Sequence, residues 1–195
     1  MIRFLRIPYW SSSSYAGASS RAWYVDFNGG NSYTEDKSRS YYVRCVRVGP
    51  STGPARRFSR TEPAAGQPIV ADSATGLGWQ GCAAGLEGRD CAAGSATSLN
   101  WQAALTYCEN LSWGGQTDWR LPNATELTSI VDDSRTSPSI NISAFPAMPF
   151  GSILHWSSSS YAVSLAALMV GFYDGNVGTD GKASPSYARC VRGGP

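Results

Sequence analysis

The sequence predicts an α+β fold, with two helices and several short antiparallel strands in one domain, preceded by a partial β-rich repeat. Three observations predict it. Apolar residues recur at helical spacing around Trp101 and again around Leu127. Short apolar and aromatic runs, separated by Gly- and Ser-rich turns, occupy the later part of the chain. One passage of such runs occurs twice, which makes repeats the first thing to explain.

The repeat sets the organisation. Residues 10–16 and 156–162 both read Trp-Ser-Ser-Ser-Ser-Tyr-Ala. After a one-residue deletion, Phe27, Gly30, Asn31 and Lys37 match Phe172, Gly175, Asn176 and Lys182. Arg44-Cys45-Val46-Arg47 matches Arg189-Cys190-Val191-Arg192. The stretch 69–150 has no counterpart before the first copy. The reading is a partial repeat over 1–50 (the C-terminal half of a module), a linker over 51–68 and a complete module over 69–195. Pro50, Pro54, Pro63 and Pro68 with Arg56-Arg57 give the linker its exposed character. No signal peptide is visible at the start.

Within the complete module, Gly76-Leu77-Gly78-Trp79-Gln80 reads as a turn entering a strand with a buried Trp. Asn100 or Ser98 caps a helix through Trp101, Ala104, Leu105, Cys108 and Leu111, which Gly114-Gly115 ends. Asn123-Ala124-Thr125-Glu126 fits a capping box, opening a second helix with Leu127, Ile130 and Val131 inward. Residues 132–138 read as a loop. Residues 153–156, 170–172 and 187–191 read as strands. Helices early and strands late give the α+β class.

Composition narrows the function classes. Ser (28) and Gly (21) make up a quarter of the 195 residues, yet seven Trp, ten Tyr and six Phe argue against disorder. Residues 1–60 carry ten Lys/Arg against three acids, or +7, and the rest six against eleven, or −5, summing to the net +2. No dense basic run accompanies the asymmetry, so no nucleic-acid partner is expected. No apolar run reaches the length of a membrane span, so no membrane insertion is expected.

Five cysteines and one histidine, with no Cys-x-x-Cys pair, disfavour zinc. Cys82 pairs with Cys91 across a short glycine-rich loop, leaving Cys108 for Cys190. Cys45 matches Cys190 but lacks a Cys108-like partner, so it is left unpaired. Disulfides imply an extracellular or cell-surface setting, with a periplasm or phage particle as variants. Five buried thiols in a cytosolic protein are the competing reading.

Several of these residues carry a family resemblance. Asp72, Thr75-Gly76-Leu77, Trp79-Gln80, Trp101-Gln102-Ala103-Ala104-Leu105 and Tyr107-Cys108 resemble the opening of the Legionella collagen-like protein C-terminal domain family. Thr117-Asp118-Trp119-Arg120-Leu121-Pro122-Asn123 is similar to its central signature, and Trp156-Ser157-Ser158 with Arg189-Cys190-Val191-Arg192 to its ending. The resemblance implies a bacterial or phage module with a C-type-lectin-like fold, usually extracytoplasmic. Its namesake is a surface adhesin for sulfated glycosaminoglycans. Similar modules are variable proteins of diversity-generating retroelements, with a hypermutated C-terminal stretch.

The expected function is therefore an extracytoplasmic ligand-binding module of the adhesin or receptor-binding type, and not an enzyme, with a protein or glycan ligand. The repeat alternates an invariant frame with blocks that differ, as a scaffold with changeable surface residues would, although drift between old repeats gives the same pattern. The expected contacts lie within 163–186: Val163, Ser164, Leu165, Leu168, Met169, Tyr173, Asp174, Val177, Thr179 and Asp180. Asp118 and Arg120 read as a structural ion pair, and Trp119, Trp156 and Arg189 as frame residues. No cofactor is expected. Asp132-Asp133 with Asn141 offer oxygen ligands for Ca²⁺, although a polar loop is the commoner reading. His155 aligns with Tyr9 and reads as an aromatic substitute rather than a base, and the serine runs lack an activating base. The alternatives are an oxidoreductase like the formylglycine-generating enzymes, which needs reactive cysteines, and a structural repeat spacer. The partial repeat exposes Trp23, Tyr24, Phe27, Tyr41 and Tyr42 unless covered, which predicts a homo-oligomer through that repeat or packing on the complete module.

Overall fold

The computed structural model describes residues 8–46, 57–148, 154–161 and 165–193. Strands dominate it. β1 (Pro8–Ser14), β2 (Arg21–Asp26) and β3 (Asn31–Asp36) form one antiparallel meander. β4 (Phe58–Ala64), β5 (Gln67–Asp72) and β6 (Gly78–Gln80) join β12 (Val191–Arg192) in a four-stranded sheet. β7 (Leu86–Glu87) and β8 (Ala93–Gly94) form a small ribbon. β9 (Leu154–Ser160), β10 (Ala166–Gly171) and β11 (Val177–Gly181) form a second meander. The helices are short: α1 (Trp101–Glu109) has nine residues and α2 (Ala124–Ser129) six.

This corrects the α+β, C-type-lectin-like expectation. Among the described residues the fold is β-rich, built from four small antiparallel sheets with two short helices against them. The helical signals are real but brief. Asn100 caps α1 by accepting from the Ala103 N–H, and α1 ends at Glu109, before Gly114-Gly115. Asn123 and Glu126 exchange both capping-box bonds at α2.

Part of the stretch expected as linker is a strand. β4 pairs antiparallel with β5 from Phe58↔Asp72 to Ala64↔Gln67, and its register shifts between Thr61 and Ala64, where Pro63 lies. β4 is an edge strand. An edge with an irregular register tolerates proline, because a missing N–H costs no inner ladder bond there.

The duplication is repeated in three dimensions. Tyr15 N–Arg21 O (3.0 Å), Gly30 N–Asp26 O (2.8 Å) and Lys37 N–Ser20 O (2.9 Å) recur as Tyr161 N–Ala166 O (3.0 Å), Gly175 N–Gly171 O (2.8 Å) and Lys182 N–Leu165 O (2.8 Å). Tyr9 bridges Tyr42 in parallel, as His155 bridges Tyr187. His155 is fully buried, edge-on to Phe172 with ring centroids 5.1 Å apart, the packing of an aromatic side chain.

Two clusters make the core. One gathers Trp79, Leu127, Ile130, Ile140, Phe145, Phe172 and Val191. The other surrounds Cys108–Cys190 and contains Trp113, Trp119, Trp156 and Met169. The first meander packs on the complete module through β3 and β11. The Ser32 Oγ accepts from the Val177 N–H at 3.0 Å. Gly175, at φ +86°, lies against Val131 and beside the Trp23 ring: an added Cβ would clash with Val131 at 2.9 Å and meet Trp23 in ordinary contact at 3.6 Å. Trp23 and Tyr24 are buried, Tyr24 against Trp10 and Tyr41 of its own meander, in keeping with the packing on the complete module that was one of the two arrangements expected, whereas Phe27 and Tyr42 are exposed.

Candidate functional site

The residues expected to contact a ligand divide between surface and core. Val163 and Ser164 lie outside the described residues. Leu165 (82% exposed) and Tyr173 (54%) present large apolar side chains to solvent. Thr179 and Asp180 are exposed as well, and Asp174 is half-buried. Met169 and Val177 are buried and Leu168 packs against the core, which corrects the reading of all three as contacts. The physical reason is that β10 feeds both core clusters. Leu168 and Val170 join the one around Trp79, Ala167 and Met169 the one around Cys108–Cys190, and Val177 on β11 pairs with Val170. Met169 pairs with Trp156 in the core, and its counterpart Tyr24 is equally buried against Trp10 and Tyr41. A difference between copies at a buried position reflects repacking, not a changed surface.

Local bonds fix the surface residues. Asp174 Oδ1 accepts from the Asn176 N–H at 3.2 Å, and the other carboxylate oxygen from the Asn176 amide. Asp180 Oδ1 accepts from Gly181 N (2.7 Å) and Ser184 Oγ (3.1 Å). Thr136 Oγ1 and the Ser137 N–H both donate to the Tyr173 carbonyl, at 2.9 and 2.7 Å, so the 132–139 loop braces the Tyr173 turn.

That loop also walls an open groove of about 900 Å³, lined by Arg57, Phe58, Arg60, Asp132, Asp133 and Asn141 among others. Sequence reasoning missed its arginines, counting them as linker charge. Arg57 makes a two-pronged contact with Asp72, Nε–Oδ1 2.9 Å and Nη2–Oδ2 2.8 Å, and reaches the Ser129 carbonyl at 2.7 Å. Burial raises the Asp72 carboxyl, but Arg57, the Ala74 N–H and Thr75 outweigh it and hold the group below its ordinary value. Arg60 donates to the carbonyls of Ala144 (2.9 Å), Gly81 (3.1 Å) and Arg89 (2.7 Å), and burial lowers its pKa. The groove can exchange hydrogen bonds with a polar ligand.

The calcium candidates Asp132, Asp133 and Asn141 line that groove together, and two of them are engaged by local donors. Asp132 Oδ1 accepts from Ser134 N (3.1 Å) and Oγ (2.5 Å), and Asn141 Oδ1 from Ser143 N and Ala144 N, at 3.0 and 3.1 Å. Among the described residues, no cluster of three or more His, Cys, Asp or Glu side chains is arranged to hold a metal.

The signature residues support the frame. Asp118 and Arg120 do not pair with each other, which corrects that reading. Backbone bonds between Arg120 and Val191 bring Arg192 beside Asp118, and Arg192 Nε lies 2.7 Å from Asp118 Oδ1. Arg120 instead forks onto Glu126 at 2.7 and 2.8 Å. Arg192 lowers the Asp118 pKa, and Arg120 lowers that of Glu126. Trp119 is buried and donates to the Trp113 and Gln116 carbonyls, at 3.2 and 3.1 Å. Trp156, fully buried, donates to Leu99 O at 2.9 Å. Arg189 is fully buried. It donates to Gln80 O at 2.7 Å and stacks on Phe145 at 5.0 Å, and burial lowers its pKa to about 9.

The disulfides are Cys82–Cys91 and Cys108–Cys190, the pairs expected from the sequence, and Cys45 is free and exposed. Two disulfides indicate folding in an oxidising compartment. Among the described residues, no helix is long and apolar enough to cross a membrane.

The family model described as the Lcl C-terminal domain matches residues 2–47 and 68–192. No curated protein matches the chain.

Proposed function

The chain belongs to the Lcl C-terminal domain family, and on that footing we propose that it is an extracytoplasmic ligand-binding module of the adhesin or receptor-binding type. One observation carries the reading. The two copies keep the same backbone bonds while their outward side chains change. Ser20, Asn28 and Gly29 of the first copy stand where the second has Leu165, Tyr173 and Asp174. A frame held by backbone bonds and disulfides tolerates such exchanges at little cost in stability, since surface substitutions away from special features change it little.

The contact surface runs over Leu165, Tyr173, Asp174, Thr179 and Asp180, with the Arg57–Asp133 groove on the other side of the bracing loop. An exposed aromatic and an exposed leucine beside carboxylates and arginines suit a glycan or a protein epitope, where rings supply contact area and charges fix orientation. Glycan and protein arrays probed with the full chain test this. Retained hits that weaken with Leu165→Ala and Tyr173→Ala support the reading. Hits indifferent to both substitutions exclude this surface.

A further inference from the structure

Resting on the binding-module reading, we propose that the groove beside β4 receives an extended peptide of a protein ligand. The peptide adds to the free edge of β4 as a further strand, and Asp133 holds a basic side chain of it.

The hydrogen-bond alternation of the sheet leaves that edge open. Ser73 N donates to Arg57 O at 2.9 Å, which brackets the pair Phe58↔Asp72, so these two main chains do not bond each other. On the other side of β5, Asp72 N–Leu77 O (2.9 Å) and Gly81 N–Pro68 O (2.8 Å) bracket Ala71↔Gly78 and Ile69↔Gln80 in the same way. Val70 therefore bonds β6, and Ile69 and Ala71 bond β4 through Thr61 and Ser59. Phe58 and Arg60 are left with N–H and C=O directed away from β5. β4 is the last strand of its sheet, and among the described residues no group bonds these N–H and C=O groups. The register is regular from Phe58↔Asp72 to Thr61↔Ile69 and shifts only beyond, where Pro63 blunts the edge.

The open stretch borders the groove. Phe58 and Arg60 form one wall, Val131, Asp132 and Asp133 the other, and among the described residues none of β5 lines it. Arg57 reaches Ser129 O and Arg60 reaches Ala144 O, which ties β4 to both ends of the opposite segment. The charge balance names the occupant. Arg57 is neutralised by Asp72, and the charges of Asp90 and Glu62 bear on Arg60. Asp132 and Asp133 remain, and Asp133 is exposed with no bond to its carboxylate among the described residues. An acidic balance selects a lysine or arginine and disfavours an anionic glycan. Val131 and the Phe58 ring are half-buried and offer apolar surface to a neighbouring side chain. An extended peptide supplies main-chain partners for the edge and alternating side chains for the groove. A glycan has no such row of N–H and C=O groups.

The test pans the full chain against a displayed library of short random linear peptides. Enriched peptides should carry Lys or Arg next to a β-branched residue and lack proline there. They should slow amide exchange at Phe58 and Arg60 roughly tenfold or more. Asp133→Lys should weaken them roughly tenfold. N-methylation of the peptide amides, each in turn, should do the same at the paired positions, and it leaves the protein unaltered. Heparin, an anionic glycan, should not compete. No enrichment over the unselected library overturns the proposal. So do enriched peptides that leave both amides in fast exchange, affinity indifferent to Asp133→Lys and to N-methylation, or competition by heparin. Slow exchange at Phe58 and Arg60 in the free chain overturns it as well, because the edge would already be covered. Failure here beside array hits that still depend on Leu165 and Tyr173 leaves the binding-module reading standing, whereas loss of those hits too overturns both.

Discussion

Arg120 and Glu126 form a forked ion pair, with Nη1–Oε2 at 2.8 Å and Nη2–Oε1 at 2.7 Å, and the same Oε2 accepts from the Asn123 N–H at 2.8 Å. One carboxylate therefore both starts α2 and ties it to the strand-like segment that pairs with Val191. Glu126→Ala removes both roles and should cost about 1–2 kcal/mol, mostly through the cap, because Arg120 keeps 41% of its side chain in solvent. Glu126→Gln keeps an acceptor for the cap and should cost less than half as much. Urea melts of the two variants check the order, and equal losses would contradict it.

Acid should unfold the chain through three carboxylates. Arg120 depresses Glu126, Arg192 depresses Asp118, and at Asp72 the bonds from Arg57, Ala74 and Thr75 outweigh the opposing burial. A carboxyl depressed in the fold contributes stability that is complete above its unfolded pKa and lost as pH falls through the folded value. Unfolding free energy should therefore hold steady down to about pH 4 and drop below it. Asp72→Asn combined with Glu126→Gln should flatten that drop. A slope unchanged from the unmodified chain would contradict the assignment.

The long disulfide should matter more than the short one. Cys108–Cys190 spans 82 residues of sequence and Cys82–Cys91 spans nine. Loop-closure entropy gives about 4.5 and about 2.7 kcal/mol respectively. Paired Cys→Ala variants compared by denaturant midpoint should rank in that order. A larger loss from the short loop would show that native packing around Gly85–Gly94, rather than chain entropy, sets the cost.

Arg189 tests the frame reading of the signature. Arg189→Ala opens a cavity against Phe145 and strands the Gln80 carbonyl, and should cost about 3–5 kcal/mol. Arg189→Met keeps volume and removes a buried charge, so it should be clearly milder. Thermal melts that rank methionine below alanine would assign the guanidinium a role beyond filling and bonding.

Much of this was legible in the sequence, residue by residue. The repeated Trp-Ser run announced two meanders with the same bonds. Asn123 and Glu126 announced the α2 cap, and the cysteine spacing announced both disulfides. The fold class was not legible. Nine- and six-residue helices carry strong periodic signals for their length, whereas the two-residue β7 and β8 strands carry none, and of the four-stranded sheet β6 was read through its buried Trp79. β4 was hidden because Arg60 and Pro63 have the composition of a linker, and its edge position makes the proline admissible in a strand. Met169 was misplaced because sequence difference between copies does not distinguish a changed surface from a repacked core.

The most direct test of the ligand-binding claim is the affinity of the full chain for its strongest array ligand. It is measured before and after Leu165→Ser, Tyr173→Asn, Asp174→Gly and Asp180→Glu are introduced together, which gives this face the first copy's residues. The predicted result is an affinity loss of roughly tenfold or more with an unchanged thermal melt. Unchanged affinity in a folded variant would contradict it.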